Sequence, residues 1–197
     1  MNDYQKIKKI LDLRYHPIGL KLVYENSHQD DFSSKCYNIE KKQRFSKYIK
    51  RVAEGDLLKL SETDTACISS DTAGHDSFSN IELDMKLNIR GLKHLLLFPV
   101  DEYPEESIDA MIIIITPHQF MKLIEIYVEL YNKPMKLTTG ASTGVCSEIV
   151  AYIIKREDVN VSFLCHGARS YAGFDADEFL FGIPAKLIPD FMEKLLE

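Results

Sequence analysis

Four cysteines could supply thiolate groups to a metal centre: Cys36, Cys67, Cys146 and Cys165. Thiolates are the protein ligands that zinc ions and iron–sulfur clusters use most often. Each of these cysteines lies in or beside a stretch of small and polar residues, whereas a cysteine that only fills a core usually lies inside an apolar run. No Cys-x-x-Cys pair occurs, which excludes zinc ribbons and thioredoxin-type motifs. If the four converge in space, we expect an iron–sulfur cluster or a zinc ion.

A second candidate for chemistry is the segment "TTGASTGVCSEIV", residues 138–150. Backbone N–H groups of a glycine-rich segment that leads into a helix can point at an anion. The candidate anion-binding residues here are Gly140, Ser142, Thr143 and Gly144. The first turn of the predicted helix would also favour the thiolate form of Cys146. An ordinary glycine turn with a buried cysteine explains the same residues, and the sequence leaves both interpretations open.

The segment "CHGAR" follows a predicted strand and carries three candidate site residues. Cys165 offers a thiolate, Gly167 permits a close approach of backbone to a ligand, and Arg169 offers a planar donor fork for a carboxylate or phosphate. The alternative is structural, with Cys165 packed inside the protein. In that case Arg169 pairs with an acid from the run that follows it, which contains Asp175, Asp177 and Glu178.

Composition and charge limit the classes of function. The chain has 197 residues and a net charge of −6, and its basic residues are scattered, so nucleic-acid binding is not expected. The densest basic run, residues 40–51, has the spacing of a solvated helix face, with phosphate or RNA binding as the minor interpretation. No apolar run approaches the roughly 20 residues of a membrane span, and no signal peptide is recognisable. We therefore expect a cytoplasmic protein without a membrane anchor.

Helices and strands that would position these groups follow from hydrophobic periodicity. Period-2 patterns and short apolar runs predict strands over 18–24, 56–60, 93–100, 108–116, 159–164 and 177–184. Helical spacing predicts helices over 2–14, 39–53, 117–131, 145–158 and 185–197. This order of elements indicates an α/β fold, or a mixed α+β fold, in which a layered sheet carries flanking helices within one domain, 1–197.

A faint internal echo suggests that the domain consists of two related halves, 1–92 and 93–197. "LKLSETDTAC" at 58–67 is similar to "MKLTTGASTGVC" at 135–146, if a gap of two residues is allowed. If the echo reflects a duplication, Cys67 and Cys146 are equivalent positions that face a shared centre.

The stretch from Cys165 to Pro184 resembles an uncharacterised family, domain of unknown function 169, found in archaea and anaerobic bacteria. The similarity rests on "CHGAR", "AGF", the acidic "DADEF" and "GIP" before a last helix. Looser similarity extends back to "HPIGLKLV" at 16–23. Around Cys67 the chain departs from the family, because only Gly74 answers the glycine-rich stretch that the family has there. The resemblance implies no activity; its recurring cysteines suggest a metal or redox role.

Two functional hypotheses follow, together with a non-catalytic scaffold as a third. In the first, the protein binds a cofactor through Cys36, Cys67, Cys146 and Cys165, with an anion site next to the metal centre. In the second, it is an enzyme or binding module for a small anionic metabolite, which the glycine-rich loop and Arg169 hold. A homodimer is compatible with either, since two chains could share one centre.

Overall fold

A single seven-stranded sheet organises the chain, with the strand order β2-β3-β4-β1-β5-β7-β6. The computed structural model describes residues 1–25, 31–61, 63–65, 68, 87, 90–140 and 144–197. The strands are β1 (Ile18–Tyr24), β2 (Tyr37–Asn38), β3 (Leu58–Leu60), β4 (Leu92–Pro99), β5 (Ala110–Ile115), β6 (Asn160–Ser162) and β7 (Phe179–Pro184). Only β2 and β3 pair in parallel; every other pair of neighbours is antiparallel. The α/β prediction is confirmed, as a mixed sheet.

Helices cover both faces of this sheet. The α-helices are α1 (Asp3–Ile10), α2 (Phe45–Ala53), α3 (Pro117–Tyr131), α4 (Tyr152–Arg156), α5 (His166–Tyr171) and α6 (Ile188–Leu196), and a π-helix spans Gly144–Ala151. Thr116 and Gln119 form a capping box that starts α3, as Asn2 and Gln5 do for α1. Within the described residues, no helix combines the length and apolar character needed to cross a membrane.

The two faces of the sheet carry two separate apolar cores. Because side chains alternate along a strand, Leu95 and Leu97 of β4 face one core and Leu96 and Phe98 face the other. We call the first face the one covered by α2 and the π-helix, and the second face the one covered by α1, α3 and α6. β5 is buried along its whole length on both faces, as its unbroken apolar run predicts.

The strand order contains two halves with corresponding strand pairings. In the first half β1 pairs with β4, which pairs with β3; in the second half β5 pairs with β7, which pairs with β6. The antiparallel pair β1–β5 joins the halves. Each half also places a helix on the first face before the corresponding strand, α2 before β3 and the π-helix with α4 before β6. This topology pairs β4 with strands of the first half, and the division at residue 92 stays a prediction.

The sequence echo does not match this relation between the halves. Residues 58–60 form β3 inside the sheet, whereas residues 135–140 belong to no strand or helix. In the topology, the counterpart of β3 is β6, whose chain continues into Cys165. The segment after β3, which contains Cys67, therefore corresponds to the segment that contains Cys165, not to the one that contains Cys146.

Two predicted helices differ from the observed ones, and one observed helix was not predicted. The helix predicted over 39–53 begins only at Phe45, and the one predicted over 145–158 begins as a π-helix. α5 was not predicted, because its six residues include Gly167 and follow a strand pattern directly. The glycine after α2, Gly55, has the expected positive φ of 116°.

Close packing of the π-helix on β7 generates a stability prediction. A Cβ at Gly182 would lie 2.8 Å from Ile153 Cδ1 and 3.3 Å from the Ile149 carbonyl oxygen. Gly182→Ala should therefore lower the free energy of unfolding by about 1–3 kcal/mol, measured by urea denaturation. Adding Ile153→Val, which removes that Cδ1, should recover part of the loss. Strictly additive effects of the two substitutions would contradict this contact.

Candidate functional site

Two of the predicted site segments, those that contain Cys146 and Cys165, meet at the edge of the sheet, on and beside the first face. The π-helix packs against β6, and the chain leaves β6 through Leu164 and Cys165 to enter α5, which contacts α2. A Cβ at Gly144 would lie 2.6 Å from Ser162 Oγ and 3.2 Å from the Cys165 amide nitrogen. Glycine at this position thus lets the start of the π-helix lie against the turn that carries Cys165.

Glu148 is the buried acid of this region, with only 3% of its surface exposed. Its Oε1 accepts a hydrogen bond of 2.5 Å from the Gly140 N–H. Burial raises the pKa of the Glu148 carboxyl above its ordinary value of 4.5, and hydrogen bonds involving Ser162, Gly140 and Thr139 oppose that shift. The N–H of Gly140, which the sequence assigns to an external anion, therefore binds an internal carboxyl group.

Asn160 fixes the glycine-rich loop to the edge strand β6. Its side-chain Oδ1 accepts a hydrogen bond from the Thr138 N–H, and its Nδ2 donates to the carbonyl oxygens of Thr138 and Glu148. The amide therefore pairs with the Thr138 backbone as a neighbouring strand residue would, and it also donates to a carbonyl oxygen of the π-helix, that of Glu148. Ser142 and Thr143, two predicted ligands of an anion, lie outside the described residues.

A π-helix at this point is itself an unusual feature. π-Helices are rare and occur most often at functional sites, since their wider turn is less well packed than an α-helix. Every residue of Gly144–Ala151 is buried, including the polar residues Ser147 and Glu148. The wider turn brings Cys146 and Glu148 into the protein, where an α-helix exposed on one side would leave some of these side chains in solvent.

The turn before α5 is strained. Leu164 has a φ of 69°, a left-handed conformation that costs a residue with a bulky side chain about 1–3 kcal/mol. Ser162 Oγ accepts a hydrogen bond from the Leu164 N–H at 3.2 Å, which helps to hold this conformation. Cys165 is the residue that precedes α5 and is partly exposed. The left-handed conformation of Leu164 therefore sets the direction in which the chain continues into Cys165.

Arg169 has a structural task in this arrangement. Its guanidinium donates to three backbone carbonyl oxygens, those of Asp175 at 2.6 Å, Ala176 at 3.3 Å and Phe163 at 3.1 Å. These bonds connect the end of β6 to the acidic segment before β7. The guanidinium thus uses much of its donor capacity inside the protein. This is close to the structural alternative in the sequence analysis, in which Arg169 pairs with the acidic run that follows it.

The acidic segment is also tied to α2 through a buried ion pair. Lys50 Nζ lies 3.2 Å from Glu178 Oε2, and both side chains are less than one-tenth exposed. The same ammonium group lies 3.7 Å from the centre of the Tyr15 ring, and Glu178 accepts the Asp175 N–H at 2.9 Å. Removing one partner of such a pair leaves a buried charge uncompensated. The pair therefore fixes α2 and the segment before β7 relative to each other.

Arg44, which the sequence analysis did not single out, lies over the predicted site. Its guanidinium occupies the space above Gly167, where a side chain would collide with Nη1, and its Cζ lies 4.9 Å from the centre of the Tyr171 ring. Arg44 is exposed, and it has no carboxylate partner among the described residues. The close approach predicted at Gly167 is thus made by an arginine side chain.

A signal for Arg44 was present in the basic run at residues 40–51. Its exposed cations Lys41, Lys42, Arg44 and Lys47 precede or begin α2, and no ion pair involves them in the described part of the chain. They form a local positive surface on a protein of net charge −6. The sequence could not show that this run lies next to Gly167, because more than 100 residues separate them.

The structure divides the predicted thiolate residues between the two faces. Cys146 lies in the first-face core and Cys165 packs against it, whereas Cys36 lies in the second-face core with its Sγ 3.7 Å from the Phe32 carbonyl oxygen. Cys36 adjoins β2 and Cys165 follows β6, which are opposite edges of the sheet, about 29 Å apart at the usual strand spacing. Cys36 and Cys165 of one chain therefore could not bind the same ion.

Cys67 lies outside the described residues. Its neighbour Ile68 is buried in the same first-face core as Cys146. Within the residues that the structure describes, no three His, Cys, Asp or Glu side chains are grouped so that they could hold a metal ion.

Comparison with known proteins gives one match. The family model of domain of unknown function 169, described as "Uncharacterised ArCR", matches residues 72–194, which is more than half of the chain. No curated protein and no solved structure matches the sequence. The matched range includes the π-helix, Cys165, Arg169 and Glu178, but begins after Arg44.

Titration of Glu148 generates a prediction about pH dependence. Because the folded-state pKa lies above 4.5, ionising this carboxyl should cost the folded protein stability as the pH rises from about 4.5 through the raised pKa. Glu148→Gln removes the ionisation, so the wild type should lose stability relative to the variant over that range, by at most about 1.4 kcal/mol per pH unit. Urea denaturation of both proteins between pH 4 and 8 measures the difference.

The exposed Glu125 of α3 offers a matched control. Glu125→Gln should leave the pH dependence of stability as it is in the wild type. A constant difference in stability between wild type and Glu148→Gln across this pH range would show that burial does not perturb the carboxyl.

Proposed function

The chain belongs to the family called domain of unknown function 169, and we propose that it is a binding protein for a small anionic ligand. The observation that carries the proposal is Arg44, an exposed guanidinium held over Gly167 without a carboxylate partner among the described residues. A guanidinium presents a planar donor fork that matches the geometry of carboxylate and phosphate groups. The ligand would bind at the surface formed by Arg44, Gly167 and Tyr171.

Electrostatics favour an anion at this surface. Three further exposed cations flank Arg44: Lys41, Lys42 and Lys47. None of them forms an ion pair with an acid among the described residues, so an approaching anion would meet several unpaired positive charges. The Tyr171 ring, also exposed, lies under the guanidinium and restricts its motion. An arginine that is already oriented loses less conformational entropy when it binds, which supports specific recognition over diffuse counterion attraction.

The proposal assigns different tasks to the residues that the sequence selected. Gly167 provides room for Arg44, and Gly140 and Gly144 shape the neighbouring loop around Glu148. Arg169, bonded to three carbonyl oxygens, would support this surface rather than hold the anion. Cys165, two residues before Gly167, is the group that could react with a bound ligand if the protein is an enzyme.

Replacing Arg44 tests the anion site. Arg44→Met should weaken binding of the anions that stabilise the wild type by about tenfold or more, because one charge-assisted contact is lost. The measurement is thermal stabilisation by sodium phosphate, citrate and nucleoside phosphates, with ionic strength held constant by potassium chloride. Lys47→Met, one turn along α2, is the control and should bind nearly as the wild type does.

Arg169 discriminates between the two cations. Arg169→Met should lower the melting temperature without ligand, since it removes three internal hydrogen bonds, but should leave the affinity of the anion largely unchanged. If no anion stabilises the wild type, or if Arg44→Met and Lys47→Met bind equally, the proposed site is wrong.

A cysteine-ligated metal centre is a second candidate function. It is favoured by the position of Gly144, which lies against the Cys165 amide two residues before Cys146, so that two thiols adjoin one turn. Cys67 would be a third ligand, and a ligand from a second chain would complete the centre in a homodimer. An iron–sulfur cluster or zinc would then lie beside the anion site. None of the three described cysteines forms a disulfide bond with another described residue, as would be usual in the cytoplasmic setting that we propose.

Metal analysis of anaerobically purified protein tests this candidate. Iron or zinc should accompany the wild type, with broad visible absorption for a cluster, and Cys165→Ser should lose at least half of the metal. Cys36→Ser is the matched control and should keep it, since Cys36 lies in the second-face core. Colourless, metal-free wild type would eliminate the centre without affecting the anion proposal.

A further inference from the structure

A groove on the second face has no part in the anion site. It lies between α1, α6 and the segment before β5, and has a volume of about 550 Å³. Its walls are mainly apolar, formed by Ile108, Ile188, Pro189, Met192 and Leu196. A groove of this size and character is within the range of sites for small organic ligands.

Three polar side chains line the groove without a partner of their own. The Tyr4 hydroxyl, the Ser107 hydroxyl and the Glu193 carboxylate make no side-chain hydrogen bond or ion pair within the described part of the chain. Burial raises the pKa of the Tyr4 phenol, which stays protonated at neutral pH and can both donate and accept. Ser107 and Glu193 are exposed and Tyr4 is half-buried, so all three are accessible to a ligand. An apolar wall with a few polar groups is the usual pattern of a specific binding site.

The charged residues of the groove favour a positively charged ligand. Its charged lining residues are all acids: Asp3, Glu106 and Glu193. Asp3 is paired with Lys6 at 2.7 Å and Glu106 with Lys21 at 3.7 Å, whereas Glu193 forms no ion pair with any residue that the structure describes. Neither of these lysines lines the groove. An organic anion would lose solvation here and gain no cation, whereas an ammonium group would gain the Glu193 carboxylate.

We propose that this groove binds a small organic cation that consists of a primary ammonium group on an apolar body. The ammonium group contacts Glu193 and donates to the Tyr4 and Ser107 hydroxyls, and the apolar body lies along Ile188 and Met192. The ligand class is therefore that of alkylamines and arylalkylamines. This site and the Arg44 surface select opposite charges, so either can be wrong without the other.

A matched pair of probes tests the proposal on the whole chain. In low-salt buffer at neutral pH, 4-phenylbutylammonium should bind at least tenfold more tightly than 4-phenylbutyrate, which has the same apolar body and the opposite charge. Isothermal titration calorimetry measures both affinities, and amide chemical-shift changes should cluster at residues of α1, α6 and the segment before β5.

Two Glu→Gln substitutions test whether Glu193 is the group that binds the ammonium. Glu193→Gln should reduce the affinity for 4-phenylbutylammonium about three- to tenfold and remove most of the preference over 4-phenylbutyrate, because a single partly screened ion pair is lost. Glu125→Gln, on α3 and outside the groove lining, should change neither value. Equal binding of the two probes, equal effects of the two variants, shifts elsewhere on the protein, or no binding at millimolar concentration would each overturn the proposal.

Discussion

The antiparallel pairing of β1 with β5 is the contact on which the rest of the structure depends. It joins the four strands β2-β3-β4-β1 and the three strands β5-β7-β6 into one sheet, with Ile18 and Leu20 of β1 fully buried. A sheet this apolar must be covered on both faces, and each half supplies one helix to the first face, α2 and the π-helix, which pack against each other. The candidate anion site arises beside this helix pair, where α2, the π-helix and α5 come together.

The same sheet separates chemical groups that the sequence treats alike. Cysteines at Cys36 and Cys146 have similar local composition, yet alternation along the strands and the placement of the helices assign them to opposite faces. Charge is divided as well. The exposed cations before and within α2 flank the first face, and the acid-lined groove lies on the second.

Strand positions could be predicted well, because β4 and β5 are apolar runs bounded by turn residues and β1 and β6 alternate clearly. Helix α3 was predicted at its observed bounds for the same reason. The π-helix could not be predicted, since a π-turn and an α-turn differ in hydrogen-bond spacing rather than in composition. α5 was hidden by its length and by Gly167.

Site residues were predicted less completely, because their partners are distant in sequence. Arg169 and Gly167 could be selected from the sequence as site candidates, but the groups that they contact, Phe163 and Arg44, could not. Glu148 resembles any polar residue on a helix until the packing of Gly144 and Ser162 buries it. The metal-centre hypothesis depended on the distances between the four cysteines in the folded protein, and their spacing along the sequence does not determine those distances.

Glu148 has a consequence for the glycine-rich loop that reaches beyond stability. The backbone N–H groups of a loop with this composition ordinarily bind a phosphate ion, so their arrangement depends on the concentration of that ion. Here the Glu148 carboxyl group accepts the Gly140 N–H in place of an ion, and it cannot leave the protein because it is part of the chain. The Gly140 N–H therefore has a partner at any solute concentration, and the ligand surface that we propose at Arg44 does not depend on an ion at that amide.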